Sequence, residues 1–368
     1  MGKHEITDIT IEDIPCMQLQ NLETGAIYAV SPYGLSLERL QFPFEDIGLR
    51  DVVYGHADWA EHRRNVGLAE EGETALSLLQ EKGTGAGGTL IFPANRVHGG
   101  KIKVVGPNGE VYGNYDVGTN HEASGSLLHG NTPKSFFDFE INEAYGFVKG
   151  SIPLSETLSG FPAGVHAFVH HSFSIHGQGF RRGYSITNNS DNNIPIALGN
   201  HDSFRIGDSI EDMVLETAAD GVLETDDQNN PTGRVIPIDE HPLFRDGYRG
   251  YRTIVPLREL SLDNTFTFPN HEFPEVKVYN PSEGYGVSIS VSPAQGMITV
   301  WTNDPASFPA NDRRKFIAVE PLTAHGATLS LPAERALRDI DPRLAQVLLP
   351  RGKAMHYEFL IKPYLIAS

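Results

Sequence analysis

The sequence contains almost no cysteine. Cys16 is the single cysteine among 368 residues, so no intramolecular disulfide is possible and no zinc site built on cysteine pairs can form. Cys16 also lies in a short apolar stretch near the start of the chain, which argues against a catalytic thiol. Any chemistry therefore has to come from other side chains.

Basic residues are scarce as well. The chain has 29 Lys and Arg against 47 Asp and Glu, which gives a formal net charge of -18. A surface this acidic repels phosphate backbones and anionic lipid surfaces, so we expect neither a nucleic-acid partner nor a membrane partner. The plain physical consequence of the charge is solubility.

Long apolar runs are missing too. No stretch of about 18 apolar residues occurs, so the sequence predicts no membrane-spanning helix. Residues 1–15 are rich in polar and acidic side chains and do not provide the apolar centre of a signal peptide. We therefore expect a cytoplasmic protein.

What the sequence does contain is period-two alternation interrupted by turn residues. One hairpin is predicted from strands at 101–105 and 110–112, which flank an Asn-Gly turn at 108–109. Many short strands with regular turns indicate a sandwich or a barrel. Further strands are predicted at 167–175, 184–187, 194–198, 276–279, 287–291, 297–301 and 355–361.

Helical pattern is confined to one region. Residues 332–347 carry apolar side chains at helical spacing and predict one or two short helices, interrupted at Pro342. We find no internal repeat, low-complexity segment or linker. The sequence thus predicts one all-β domain over residues 1–368, a large antiparallel β-sandwich with a few short helices.

Residues 83–88 (GTGAGG) match the G-x-G-x-x-G string of dinucleotide-binding sites. That string requires a strand before it and a helix after it, and here a short apolar run ending in Pro93 follows. We therefore interpret the segment as a flexible loop, and predict no nucleotide cofactor.

The pair His170-His171 suggests a metal site at first sight. It lies in a predicted strand, where neighbouring side chains point to opposite faces and do not readily bind one ion. The sequence has no H-E-x-x-H segment either. We expect one histidine to be packed and the other exposed, with no metal bound.

Four polar positions beside apolar segments have greater functional interest. Arg96 lies between apolar residues, His129 follows two leucines, His201 comes just past an apolar strand, and Glu320 ends another. Each alone is readily explained as a structural or surface residue. Together they supply an acid, a base and a cation at predicted strand ends, as a sugar site on a β scaffold requires.

Seven short segments carry a family resemblance, and they occur in the family's order over most of the chain. They resemble the motifs of the aldose 1-epimerase (galactose mutarotase) family. Departures such as Gly199, where threonine is common, and Asn264, where histidine is common, leave the identity of the sugar open. The segments are Asn95-Arg-Val, Leu128-His-Gly, Gly160-Phe-Pro-Ala-Gly, residues 186–204, Asn230-Pro-Thr-Gly-Arg-Val-Ile-Pro, Leu262-Asp-Asn-Thr-Phe and Ala318-Val-Glu-Pro.

The resemblance implies the family's large sandwich of antiparallel strands and an activity that interconverts the α and β anomers of a free aldohexose. It implies Glu320 as the catalytic base and His201 as the catalytic acid, with no cofactor and no metal. It also implies a small-molecule sugar as partner, with galactose and glucose as first candidates, and a monomer or homodimer. The implied substrate-binding residues are Asn95, Arg96, His129 and Asp263.

Three alternatives remain open at this stage. Asp263 and Glu320 are also the carboxylate pair that a glycoside hydrolase would need. A non-catalytic sugar-binding or regulatory protein is a second alternative, because a fold does not fix a function. The third is a phosphorylated or sulfonated sugar substrate, bound by Arg313, Arg314 and Lys315. The first 85 or so residues carry little resemblance, and an added sheet face or an interface is expected there.

Overall fold

The chain folds mainly into β-strands. The computed structural model describes residues 3–105, 111–142, 145–173, 179–227, 229, 231–268, 274–292, 296–303, 310, 313–324 and 347–366. Within them the helices are α1 (His56–Asn65), α2 (Ala75–Lys82) and α3 (Leu154–Thr157). The strands are β1 (His4–Ile11), β2 (Ile14–Asn21), β3 (Ile27–Val30), β4 (Leu37–Phe44), β5 (Gly48–Asp51), β6 (Gly88–Ile91), β7 (Arg96–His98), β8 (Lys101–Val105), β9 (Val111–Asp116), β10 (Ser126–Leu128), β11 (Asp138–Asn142), β12 (Phe147–Pro153), β13 (Val165–Phe173), β14 (Phe180–Asn188), β15 (Ile194–Pro195), β16 (Gly199–Phe204), β17 (Val214–Thr217), β18 (Gly221–Thr225), β19 (Pro231–Pro237), β20 (Thr253–Pro256), β21 (Asp263–Thr267), β22 (Glu275–Asn280), β23 (Tyr285–Val291), β24 (Met297–Thr302), β25 (Ile317–Leu322), β26 (Leu348–Leu349) and β27 (Ala354–Leu365).

Three sheets contain most of these strands. A five-stranded sheet has the order β1-β2-β3-β4-β5, and a nine-stranded sheet has the order β11-β12-β13-β14-β27-β23-β22-β17-β20. A seven-stranded sheet has the order β19-β18-β21-β24-β25-β16-β6. Neighbouring strands pair antiparallel, as β13 does with β14 and β24 with β25. The predicted all-β antiparallel architecture is therefore confirmed.

Most of the predicted strands are present. β8 pairs with β9, and β22 with β23, as hairpins, while β14 and β15 are both strands but pair with other partners. β13 alternates strictly between buried and half-buried residues, because one of its faces packs on the core. The turn at 106–109, Ile175 and the helices predicted from Pro332 to residue 346 lie outside the described residues.

The five-stranded sheet forms an additional layer on the nine-stranded one. Tyr28 of β3 packs its ring against Phe180 of β14 with 5.0 Å between ring centroids, and its hydroxyl donates to the carbonyl oxygen of His171 at 2.7 Å. Apolar side chains of all three sheets join in one buried cluster. The expectation of an added sheet face in the first 85 residues is confirmed.

Two helices connect this layer to the seven-stranded sheet. In α2 the Thr74 hydroxyl accepts from the backbone N–H of Ser77 at 3.1 Å, and the Ser77 hydroxyl accepts from that of Thr74 at 2.9 Å, which caps the helix start. Gly83 ends α2 with a φ of 64°, a conformation that glycine adopts at little cost. None of the helices among the described residues is both long and apolar enough to cross a bilayer.

A buried pair fixes the start of α1. The carboxylate of Glu38 accepts from the backbone N–H of His56 at 2.9 Å and lies 2.9 Å from His56 Nδ1, and neither side chain is exposed. Burial by itself raises the pKa of Glu38, but the charge and hydrogen bonds of His56 outweigh it and hold that pKa below the ordinary value. The ionised carboxylate is therefore stabilised by folding.

We expect Glu38→Gln to lower the free energy of unfolding at pH 7 by about 1–3 kcal/mol, because a neutral amide replaces a buried charged acceptor. A carboxylate whose pKa is lower in the folded state contributes stability above its unfolded pKa and loses it as the pH falls through the folded pKa. The difference should therefore shrink below about pH 4.5. Urea denaturation of the wild type and the variant, at pH 7 and below about pH 4.5, measures this difference in the free energy of unfolding. The matched control is Glu23→Gln in the exposed Lys3–Glu23 pair, which should cost almost nothing.

Candidate active site

His201 and Glu320 lie on adjacent strands of the seven-stranded sheet. The backbone pairing of Asp202 with Val319 sets the register of β16 against β25 and places His201 across from Glu320. Residues directly opposite in an antiparallel pair have side chains on the same face. His201 Nε2 lies 3.4 Å from Glu320 Oε1, and each residue is 3% exposed. The structure thus brings together the two side chains predicted to be acid and base.

The expectation that His201 comes just past an apolar strand and that Glu320 ends another is wrong. His201 lies inside β16 and Glu320 inside β25, and all residues of both strands are buried. The sequence of β16 (GNHDSF) does not predict a strand, because polar side chains lie on both of its faces. It therefore lacks the usual alternation of apolar and polar residues. One face carries His201, and the other faces the nine-stranded sheet.

Behind His201, a buried polar network joins the two large sheets. Arg182 of β14 donates to Asn200, to Asp202 at 3.3 Å and to the carbonyl oxygen of Gly88 at 3.2 Å, while Asn200 donates to Asp202. Arg182 and Asp202 are each 1% exposed. Because Asn200 and Asp202 flank His201 on β16, this network fixes the backbone that carries the histidine.

A row of polar side chains crosses the site-bearing sheet on five neighbouring strands. The register pairs Thr89 with His201, Glu320 with Thr299, and Thr299 with Thr265. The hydroxyls of Thr265 and Thr299 are 2.7 Å apart, and all members of the row are buried. Sequence reasoning missed the three threonines, because a single threonine in a strand has no distinguishing pattern and only the register reveals the row.

Asn95 holds two parts of the site together. Its side-chain amide donates to Glu320 Oε2 at 2.7 Å, and its backbone carbonyl accepts from the N–H of His129 at 2.7 Å. It directly precedes β7, which pairs with β10 so that Arg96 lies opposite Leu128. The short β7–β10 sheet therefore carries Asn95, Arg96 and His129 to the carboxylate as one unit.

The ring of His129 lies beside that of His201. Their centroids are 5.0 Å apart, and His129 Nδ1 lies 2.8 Å from the hydroxyl of Thr84. The backbone of His129 has a φ of 57°, in the left-handed region that few residues other than glycine adopt. Sequence reasoning placed His129 in the site but missed Thr84, which lies in the glycine-rich segment.

Asp263 forms the exposed edge of the site. It begins β21 across from Trp301 of β24, and its carboxylate accepts from the side-chain amide of Asn229 at 2.6 Å. The ring of Trp301 lies 6.3 Å from that of His201 and supplies an aromatic wall that sequence reasoning did not identify. The positive charge of Arg96 acts on both Asp263 and Glu320.

Burial controls the proton affinities of His201 and Glu320. It raises the pKa of Glu320 well above the ordinary value, an effect to which Asp263 adds and which Arg96 opposes. Burial also lowers the pKa of His201 to about 3. Both shifts disfavour a charged group, so the pair retains one exchangeable proton over a wide pH range.

Among the described residues, His129, His201 and Glu320 offer ligand atoms within 4.8 Å of one another, a donor set that zinc accepts. Glu320, however, is already engaged on both oxygens, by Asn95 on one and close to His201 on the other. The pair His170-His171 is not part of this cluster. His171 is 1% exposed and His170 is half-buried, on opposite faces of β13 as predicted.

The glycine-rich segment leads from α2 into β6, so a strand follows where a dinucleotide-binding site needs a helix. Residues 83–87 do form a loop, and Gly88 begins β6. They are closely packed, however, because an added Cβ at Gly85 would lie 2.2 Å from the ring of Trp59 and one at Gly88 would lie 2.0 Å from Asp202. The predicted loop is present, but it is tightly held instead of loose.

Comparison with a family model and with solved structures agrees with both the sequence motifs and the fold. The family model described as aldose 1-epimerase matches residues 70–331. A search of curated proteins finds no match for the chain.

Several solved structures share the fold. A galactose mutarotase-like protein from Clostridium acetobutylicum superposes with a TM-score of 0.73 at 14% identity, covering 99% of each chain. An aldose epimerase homologue from C. elegans gives 0.70 at 18% identity, covering 94% of this chain and 97% of its own. A galactose 1-epimerase from Lactobacillus acidophilus gives 0.69 at 13% identity and covers both chains completely, at 100%. At these identities the likeness is one of fold.

Proposed function

We propose, given that this chain belongs to the aldose 1-epimerase family, that it interconverts the α and β anomers of a free aldohexose. Galactose and glucose are the first candidates. The observation that supports the proposal most is the buried pair of His201 Nε2 and Glu320 Oε1, 3.4 Å apart, with Asn95 bound to the second carboxylate oxygen. An acid and a base side by side in a water-poor site are what hemiacetal opening needs.

The proposed cycle conserves the single proton of the pair. Burial of the sugar-free pair favours this proton on Glu320, and the reactive form has it moved to His201 across the 3.4 Å contact. In that form Glu320 takes the proton of the C1 hydroxyl while His201 gives its own to the ring oxygen, and the C1–O5 bond breaks. The open aldehyde rotates about C1–C2. On reclosure Glu320 returns its proton to the carbonyl oxygen, and the O5 hydroxyl returns its proton to His201. The site ends in its starting state, with no net oxidation.

The remaining site residues have supporting roles in this proposal. Arg96 favours the ionised form of Glu320, because an opposite charge nearby stabilises a carboxylate. Asp263, at the exposed edge, accepts hydrogen bonds from sugar hydroxyls. His129 donates to the ring oxygen beside His201, and Asn95 orients the carboxylate through its 2.7 Å hydrogen bond.

We favour a neutral sugar over a phosphorylated or sulfonated one, because one of the three cations considered for an anionic group is engaged elsewhere. An anionic sugar would need a free cation near the pair, and Arg314 was one candidate. Arg314 instead donates to Glu211 and to the backbone carbonyls of Leu260 and Leu257, at 2.8 and 2.6 Å for the two carbonyls. Its guanidinium is therefore committed to holding neighbouring loops.

Exchange NMR on equilibrated galactose and glucose, with and without the purified protein, tests the proposal. We expect faster α/β exchange with at least one of the two sugars, unchanged by EDTA because neither proton transfer uses a metal. Faster exchange only with sugar phosphates or sulfonates would contradict a neutral substrate and would show an anionic one. Saturable sugar binding without faster exchange would contradict the proposed enzyme activity and would show a non-catalytic sugar-binding protein.

The pH dependence of the activity should be unusually flat. Activity needs one proton on the pair, so it falls when the pair gains a second proton or loses the only one. Burial lowers the pKa of His201 to about 3 and raises that of Glu320, which moves the two limbs apart. We therefore expect kcat/KM, corrected for spontaneous exchange, to show an acid limb well below the ordinary histidine pKa and a basic limb well above the ordinary glutamate pKa. An acid limb near the ordinary histidine pKa of about 6.5 would contradict this.

A further inference from the structure

The glycine-rich segment at residues 83–88 contributes one side chain to the site, that of Thr84. Its glycines allow close approach to four other residues, since an added Cβ at Gly83, Gly85, Gly87 or Gly88 would lie within 2.7 Å of an atom of one of them. The segment thus has little freedom to move. Its rigidity fixes the position of the Thr84 hydroxyl, 2.8 Å from His129 Nδ1.

His129 is held at two points. Its backbone N–H donates to the carbonyl oxygen of Asn95 at 2.7 Å, and its Nδ1 is engaged by Thr84. The remaining ring nitrogen, Nε2, is then the one available to a sugar. Because the rings of His129 and His201 are 5.0 Å apart, that nitrogen would act at the same place as the acid and base pair.

Because His129 is neutral, its contact with Thr84 determines which ring nitrogen carries the hydrogen. Burial, together with the charges of His201 and Arg96, lowers the pKa of His129 well below the ordinary value, so the ring is neutral and has one N–H. The ring oxygen of a hemiacetal only accepts hydrogen bonds, and therefore needs that hydrogen on Nε2. A hydroxyl can donate to Nδ1 and so hold the ring in this tautomer.

We propose that Thr84 is a positioning residue whose hydroxyl donates to His129 Nδ1 and thereby fixes the Nε2–H tautomer that meets the sugar ring oxygen. The part that concerns the sugar rests on the proposed function. The tautomer itself does not, because it is a property of the sugar-free protein.

Long-range ¹H–¹⁵N NMR of the imidazoles tests the tautomer directly, with the signals of His129 identified by their loss in His129→Gln. We expect the Nε2–H tautomer in the wild type and in Thr84→Ser, and a tautomer mixture or the Nδ1–H form in Thr84→Val. Thr84→Val should lower kcat about tenfold to a hundredfold with a smaller change in KM, since it leaves a buried acceptor without its donor. Thr84→Ser should recover most of this loss. The matched control, Thr10→Val on the exposed face of β1, should change neither readout.

An Nδ1–H tautomer in the wild type would overturn the proposal, and so would full kcat together with the Nε2–H form in Thr84→Val. Thermal unfolding followed by circular dichroism checks that each variant folds, and Thr84→Ala replaces the valine variant if that one does not. Absence of exchange with every sugar would overturn the proposed function alone, because the NMR comparison would still decide the role of Thr84.

Discussion

Replacing Glu320 with glutamine is expected to slow enzyme-catalysed anomer exchange by about 100- to 10,000-fold, the usual contribution of one general acid or base. In the proposed cycle an amide cannot take the proton of the C1 hydroxyl, so ring opening loses its base. Glu320 is suited to this task because burial raises its pKa and thus its affinity for a proton. Exchange NMR with the sugar that the wild type accelerates most measures the loss.

The variant should keep its fold, because glutamine matches the hydrogen bonds around the site. Its amide oxygen can accept from Asn95, which now donates to Glu320 Oε2 at 2.7 Å, and its NH₂ can donate to His201 Nε2, now 3.4 Å from Oε1. A carboxyl group whose pKa is higher in the folded state costs stability as the pH rises above its unfolded pKa. Glu320→Gln should therefore be at least as stable as the wild type at pH 7.

Glu358→Gln is the matched control for this loss. Glu358 lies on β27, where it pairs with Arg181 and its side chain is 46% exposed. Its substitution should leave exchange unchanged. Full activity in a folded Glu320→Gln protein would remove Glu320 from the role of base and would shift attention to Asp263, the second carboxylate of the site.

The sequence predicted which residues form the site better than it predicted where they lie in the fold. His201, Glu320, Asn95, Arg96 and His129 were found from short motifs whose spacing along the chain says nothing of distance in space. The backbone register of β16 against β25 brings the first two together. Register depends on long-range pairing, which a single sequence does not encode in any local pattern.

Two features explain why parts of the fold could not be predicted. In β16, polar residues face the site on one side and the Arg182 network on the other, so the strand shows no apolar alternation. In α1, only His56, Trp59 and Ala60 are buried, and just two of them are apolar, so the helix shows almost no apolar periodicity. Strands with one face on the core, such as β13 and β22, were predicted because their burial does alternate.

Thr84 illustrates the limit for functional residues. A threonine among glycines is typical of a loop, and the pattern fits many loops equally well. Its role depends on Trp59 of α1 and Asp202 of β16, which fix the neighbouring glycines. These contacts come from parts of the chain that are distant in sequence. Only the assembled structure shows that the segment approaches His129.

Replacing His201 with glutamine is expected to reduce exchange by a similar factor, about 100- to 10,000-fold. Glutamine can place an amide nitrogen near the position of Nε2 and so keep a contact with Glu320, but it cannot give a proton to the ring oxygen. The lost step is the acid half of ring opening. Polarimetry of freshly dissolved α-anomer measures the rate, and His170→Asn, on the outer face of β13, is the control that should remain active.

The pH dependence of stability shows whether the His201 variant is folded and altered only at the intended site. The pKa of His201 is lowered to about 3 by burial, so the unfolded chain binds a proton between that pH and about 6.5 that the folded chain does not. This group thus favours folding above about pH 6.5 and loses that contribution as the pH falls towards 3. His201→Gln should lack this part of the acid sensitivity.

The double variant gives the most demanding test of the pair. If Glu320 and His201 pass one proton between sugar and protein as a unit, removing the second residue costs little once the first is gone. We therefore expect Glu320→Gln/His201→Gln to be about as slow as the slower single variant. If the rate loss of the double variant equals the product of the two single losses, the two groups act independently. The 3.4 Å contact between them would then be structural only, and the two side chains would not share a proton.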